Sequence, residues 1–122
     1  MLSHPFGFAL EHLHLNDVCE VPYNAPLYKF FDKALEGTGY GYEPHEAITD
    51  DGYILTLVRL IKSDEDDKAR IQRPPVLFQH GFSACSEGWL RVTDPNAKPT
   101  VLQAMDAGFD VWLANSRGTR YS

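Results

Sequence analysis

Two stretches of this sequence hold residues whose types and spacing could do chemistry. The first is Gln79-His80-Gly81-Phe82, which follows the short apolar run Val76-Leu77-Phe78. In open α/β sheets, sites lie beyond the carboxyl ends of strands. Main-chain N–H groups there can stabilise the oxyanion that develops in acyl transfer, and Gly81 gives the backbone room to aim them. The plainer alternative is a strand-to-loop turn in which His80 hydrogen-bonds the backbone. The second stretch is Asn115-Ser116-Arg117-Gly118, at the end of the apolar run Phe109 to Asn115. It is expected on the same sheet edge as the first. Arg117 could clamp an anion, but pairing with carboxylates or carbonyls to fix loops is the preferred reading. His80, Gly81 and Arg117 are thus read as structural residues beside a site.

Other patterns carry less. His45 to Asp50 reads H-x-x-x-x-D, a spacing used by some acyltransferases, but the pair spans a turn between two strands. His12-Leu13-His14 has metal-like spacing without a supporting Asp, Glu or Cys cluster, so no metal and no cofactor are expected. Cys85 follows the His80 turn closely, yet no helix N-terminus or adjacent base is evident to activate a thiol, and it is read as a small buried residue. The nucleophile elbow of serine hydrolases, Gly-x-Ser-x-Gly, is absent around every serine (3, 63, 83, 86, 116 and 122).

The elements that must position these turns follow from periodicity. Leu27, Phe30, Phe31, Ala34 and Leu35 fall on one helical stripe after Pro26, with Asn24 near the cap and Gly37 as the stop. That spacing predicts a helix of about three turns whose apolar face is core. Gly37 to Gly41 breaks it. Strands are predicted over His45–Thr49 and Tyr53–Ile61, joined by Asp50-Asp51-Gly52, a strong hairpin signal. Both faces of the second strand are largely apolar, which predicts cover on two sides. Ser63 to Gln72 reads as a charged linker. Val76–Phe78 reads as a buried strand, Val101–Ala107 as a helix stopped by Gly108, and Phe109–Asn115 as the last strand. A hairpin followed by a βαβ unit makes an α/β sheet. Residues 1–25 show no clean period and read as an irregular arm, with a short helical turn near Leu10 to Leu15.

Composition bounds the classes of function. The 122 residues carry 11 Lys+Arg against 17 Asp+Glu, a formal charge of −6, and the densest charge run, Ser63 to Lys68, is acidic. A phosphate-binding face needs clustered cations, so nucleic acid is excluded as a partner. No apolar run reaches the roughly 20 residues of a membrane helix. The N-terminus lacks the basic and apolar regions of a signal peptide, and no Asn-x-Ser/Thr acceptor occurs, which leans towards an intracellular protein. Two cysteines, Cys19 and Cys85, do not make a disulfide framework.

Longer motifs carry a resemblance. Gly39-Tyr40-Gly41-Tyr42-Glu43 leads into His45-Glu46 and Thr49-Asp50-Asp51-Gly52-Tyr53-Ile54-Leu55. Arg73-Pro74-Pro75-Val76-Leu77-Phe78-Gln79-His80-Gly81-Phe82 follows, then Trp89, then Ala107 to Gly118 and Tyr121-Ser122. From Tyr40 to Ser122 this resembles the N-terminal part of the acid lipase family, the gastric-type and lysosomal-type lipases and steryl ester hydrolases. The resemblance implies an α/β-hydrolase that cleaves neutral lipid esters through a Ser-Asp-His triad. It implies that the residue after the His-Gly pair, here Phe82 where Leu is commoner, lends its main-chain N–H to the oxyanion hole. The family's elbow, acid and catalytic His have no counterpart among these residues.

The expectation is therefore a partial α/β-hydrolase region over residues 26–122, carrying part of an oxyanion hole and inactive alone. A rival reading is a non-catalytic, lipase-derived subunit or binding module, whose protein partner covers an open sheet edge at Val76–Phe78. A complete small esterase using Ser83 or Ser86 with His80 is physically poor, because these residues share one loop and lack an orienting acid.

Overall fold

The computed structural model describes residues 26–122. The arm over residues 1–25, the turn near Leu10–Leu15, the Asn24 cap and the His12–His14 pair lie outside the described residues.

The apolar stripe after Pro26 forms helix α1, Lys29–Leu35. It is shorter than its periodicity predicts. Residues before it make a single turn, closed by the Lys29 N–H donating to the Pro26 carbonyl at 3.1 Å. Tyr28 takes a non-helical conformation there, and its ring lies 5.6 Å from both Tyr42 and Tyr121. Phe31 and Leu35 are buried as expected, whereas Leu27 keeps 38% of its surface exposed.

Strands β1 (Tyr40–Ile48) and β2 (Ile54–Lys62) form an antiparallel hairpin, in register from Tyr40↔Lys62 to Ile48↔Ile54. β1 begins five residues earlier than the pattern predicts. The Gly39-Tyr40-Gly41 run looks like a breaker, but the apolar partner strand extends far enough to recruit it. Pro44, which cannot donate to a ladder, is tolerated because β1 is an edge strand. Gly52 sits at the tip with φ +82°, a conformation glycine adopts without steric penalty.

The charged linker contains a short helix, α2 (Asp67–Ile71), capped by the Asp66 side chain accepting the Lys68 N–H at 2.8 Å. It leads into β3 (Pro75–Gln79), a 3-10 turn over Ser86–Leu90, helix α3 (Thr100–Asp106) and β4 (Asp110–Ala114). β3 and β4 are parallel, in register from Pro75↔Asp110 to Gln79↔Ala114, and β4 pairs antiparallel with β2. The sheet order is β1-β2-β4-β3. This is the hairpin and βαβ unit expected from the sequence, but the burial expected for Val76–Phe78 is not met: β3 stands at an edge, with Leu77 exposed and Val76 and Phe78 half-buried.

One sheet face carries the core. Val58, Leu60, Val111 and Leu113 are buried against Phe31 and Leu35 of α1, Leu90, and Val101, Leu102 and Met105 of α3. The two-sided cover expected for β2 is not met among the described residues. Leu55, Leu57, Arg59 and Ile61 are only half-buried. This face carries an ion pair among its apolar side chains: Arg59 grips both carboxyl oxygens of Asp110 at 2.8 and 3.0 Å and lies over the Trp112 ring. Arg70 of α2 reaches Glu43 on the same face at 3.0 Å, and its guanidinium holds the Glu43 carboxyl below its ordinary range.

Candidate functional site

Because β3 and β4 run parallel, their carboxyl ends deliver His80-Gly81-Phe82 and Asn115-Ser116-Arg117 to one end of the sheet. β2 runs the other way, so the hairpin tip at Asp51–Tyr53 comes to that end as well. Residues 80–84 and 116–120 line a cavity of about 670 Å³ between the two turns.

The turns are joined by hydrogen bonds. The Ser116 N–H donates to Nε2 of His80 at 3.0 Å, and His80 Nδ1 lies 2.8 Å from the Gly81 carbonyl. Gln79 donates its side-chain amide to Ser116 Oγ at 3.0 Å. The Gly81 carbonyl also accepts the Ala84 N–H at 3.3 Å, closing the turn. Inside that turn Ser83 takes φ +60°, the left-handed region that costs a non-glycine residue roughly 1–2 kcal/mol. Gly81 has no positive φ, and a Cβ built on it meets nothing within 4 Å. The turn's backbone requirement therefore falls on Ser83, and the lack of a side chain at 81 keeps the cavity wall clear. Phe82 projects its ring fully into solvent. Among the described residues neither a carbonyl nor a side-chain acceptor takes its N–H.

Arg117 faces the hairpin. Its guanidinium donates to Thr49 Oγ1 at 3.1 Å and to the Asp51 carboxylate, and lies 4.6 Å over the Tyr53 ring. The guanidinium, helped by the Thr49 hydroxyl, holds the Asp51 carboxyl down at about 2.

Behind the first turn is a buried polar brace. Asn115 accepts the Ser86 N–H at 3.0 Å and donates to the Thr56 carbonyl at 3.2 Å, tying the loop after the turn to β2 and β4. The Tyr121 hydroxyl donates to Glu87, which is fully buried, and Arg91 approaches the same carboxyl group at 3.4 Å. Burial, and then Glu87, push the Tyr121 hydroxyl well above the ordinary phenol range. Glu87 carries no local signal of burial: a lone Glu between Ser86 and Gly88 reads as surface.

The weaker patterns come apart. His45 packs against Trp112, ring centroids 4.9 Å apart, and lies 3.5 Å from Glu43, while Asp50 stands at the hairpin tip. Cys85 is fully buried and disulfide-bonded, so it offers no thiol. Ser86 is fully buried, and both nitrogens of His80 are engaged by main-chain groups, which leaves no Ser–His pair on this loop. Among the described residues no three His, Cys, Asp or Glu side chains gather as a metal site, and no helix is long and apolar enough to cross a membrane.

A parallel βαβ unit beside an antiparallel hairpin, in the order β1-β2-β4-β3, fits part of an α/β-hydrolase sheet. The chain belongs to the α/β-hydrolase lipases: residues 31–93 match the family described as a partial alpha/beta-hydrolase lipase region. It is 35% identical over 115 residues to a tear acid lipase-like protein of Mesocricetus auratus, covering 93% of this chain and 28% of that protein. It is 43% identical over 84 residues to a putative lysosomal acid lipase/cholesteryl ester hydrolase of Crotalus adamanteus, covering 69% and 20%. Human gastric triacylglycerol lipase is 39% identical over 84 residues, covering 69% of this chain and 21% of the lipase. The chain thus spans between a fifth and about a quarter of the length of these relatives.

Proposed function

We infer that these residues form the oxyanion side of a lipid-ester hydrolase, with the Phe82 main-chain N–H as one of the donors. The observation that carries this is the Phe82 N–H itself: it lies at the carboxyl end of a parallel strand, beside a cavity, with no acceptor among the described residues. A donor fixed before reaction stabilises the tetrahedral oxyanion without reorganising when charge develops. The nucleophile, its base and the orienting acid come from sequence outside these 122 residues, since no elbow occurs within them. The polypeptide limited to these residues therefore binds no acyl group covalently. The substrate class is a neutral ester, triacylglycerol or steryl ester, in keeping with the names of the relatives. The buried disulfide of Cys85 supports an oxidising compartment over the intracellular lean of the sequence, because disulfides persist there.

The test is to remove the donor in the complete polypeptide that contains these residues. Phe82→Pro lacks the N–H and is expected to lower kcat by about 10²–10³-fold, while Phe82→Leu keeps the donor and the activity. Unchanged kcat in Phe82→Pro overturns the assignment.

Among the described residues β3 has no strand on its outer side, and this favours a second reading, a non-catalytic subunit whose partner chain adds a strand there. Leu77 in that strand is 59% exposed. Isolation of the native protein as a stoichiometric complex, with the β3 amides protected from exchange only in the complex, is the expected result for that reading.

A further inference from the structure

We propose that His80 is a positioning residue of this site, acting as the neutral imidazole with its proton on Nδ1. The inference rests on the reading of Phe82 above and adds the group that aims its N–H.

The two ring contacts assign the tautomer. Ser116 presents a main-chain N–H to Nε2 at 3.0 Å, and an N–H can only donate, so Nε2 carries no proton. The Gly81 carbonyl, 2.8 Å from Nδ1, can only accept, so Nδ1 carries it. The Gly81 carbonyl and the Phe82 N–H belong to one peptide unit, and no cis peptide bond occurs among the described residues. In a planar trans peptide the C=O and N–H point in opposite directions. Fixing the Gly81 carbonyl towards the His80 ring therefore aims the Phe82 N–H the other way. The anchor for the ring is Ser116, at the end of the neighbouring strand, and Gln79 holds the same residue through its hydroxyl. The chain of contact runs from β4, through the imidazole, to one peptide plane.

Protonation removes the anchor. The imidazolium carries hydrogens on both nitrogens, so Nε2–H would oppose the Ser116 N–H, donor against donor. The charged groups around the cavity come from the turn after β4: Arg117 and Arg120 line it together with His80. From the hairpin, Asp51 is engaged by Arg117. Gln79 and the loop 81–84 bring no titratable group.

The experiment uses the complete polypeptide with ¹⁵N-labelled histidine and backbone. Long-range ¹H–¹⁵N spectra are expected to show His80 as the Nδ1–H tautomer, with the Ser116 amide resonance moving in step with ring protonation. His80→Asn keeps a donor near the Nδ1 position, and His80→Ala keeps none. Ester hydrolysis is expected to fall by about 10-fold or more in kcat for His80→Ala, with KM little changed and Asn partly restoring kcat. An Nε2–H tautomer, a Ser116 amide indifferent to the titration, or unchanged kcat in His80→Ala overturns the proposal. Absence of turnover in the wild-type polypeptide overturns the reading of Phe82 instead, and the nitrogen spectra still decide the tautomer.

Discussion

The hydroxyl of Tyr121 donates its hydrogen to the carboxyl group of Glu87, which no solvent reaches. Thirty-four residues separate the two, and their contact fastens the segment after β4 to the segment after β3. Both turns that shape the cavity hang from those segments. Tyr121 is anchored again by its carbonyl, which accepts the Thr56 hydroxyl.

Replacing Tyr121 by Phe keeps the ring packing and strips the donor from a buried acceptor. A loss of about 1–3 kcal/mol in chemical unfolding is expected. The hydroxyl's titration is raised in the fold, so its contribution is complete below the unfolded value near 10 and fades as pH rises through the folded one. Equal stability of Tyr121→Phe and wild type would count against the brace.

Asp51 behaves in the opposite sense. Its carboxyl is lowered to about 2 by Arg117 and Thr49, so the clamp on the hairpin is in force above the ordinary value of 3.8 and is lost as pH falls through about 2. Carboxyl ¹³C titration is expected to find Asp51 near that value, and Arg117→Ala is expected to return it towards 3.8. An Asp51 midpoint close to 4 in the wild type contradicts the clamp.

The backbone of the first turn divides its demands between two residues. Gly81→Ala is expected to change stability by less than about 0.5 kcal/mol, since its new methyl meets open space. Ser83→Gly relieves the left-handed strain that serine already bears at φ +60° and is expected to stabilise by up to about 1–2 kcal/mol. The reverse order in urea midpoints would refute this division.

Cys85 is expected to resist alkylation even after the unreduced chain is unfolded, and to react fully once a reductant is added. Alkylation of the unreduced protein would refute the disulfide.

Much of this was legible before any coordinates. The Asp50-Asp51-Gly52 signal placed the hairpin, and the apolar runs before Gln79 and before Asn115 placed β3 and β4. What escaped had physical reasons. β1 starts at Tyr40 because pairing with β2 overrides a glycine-flanked start, and a cross-strand ladder is invisible to local periodicity. α1 is cut short where Tyr28 joins an aromatic cluster of Phe31 with Tyr42 and Tyr121 from two distant segments. Glu87 looks like a surface residue because its partners, Tyr121 and Arg91, are brought to it only by the fold. The two turns at the strand ends were legible as turns; that the left-handed residue is Ser83 and not Gly81 was not, since serine gives no cue for it.

The most direct measurement is covalent labelling. The complete polypeptide would be treated with a serine-directed phosphonate carrying an acyl-like chain, then mapped by mass spectrometry alongside the polypeptide limited to these 122 residues. The expected result is a single adduct on a serine outside these residues, and none on the shorter polypeptide. An adduct on Ser83 or Ser86, or no adduct on the complete polypeptide, contradicts the assignment of these residues to the oxyanion side of a lipid-ester hydrolase.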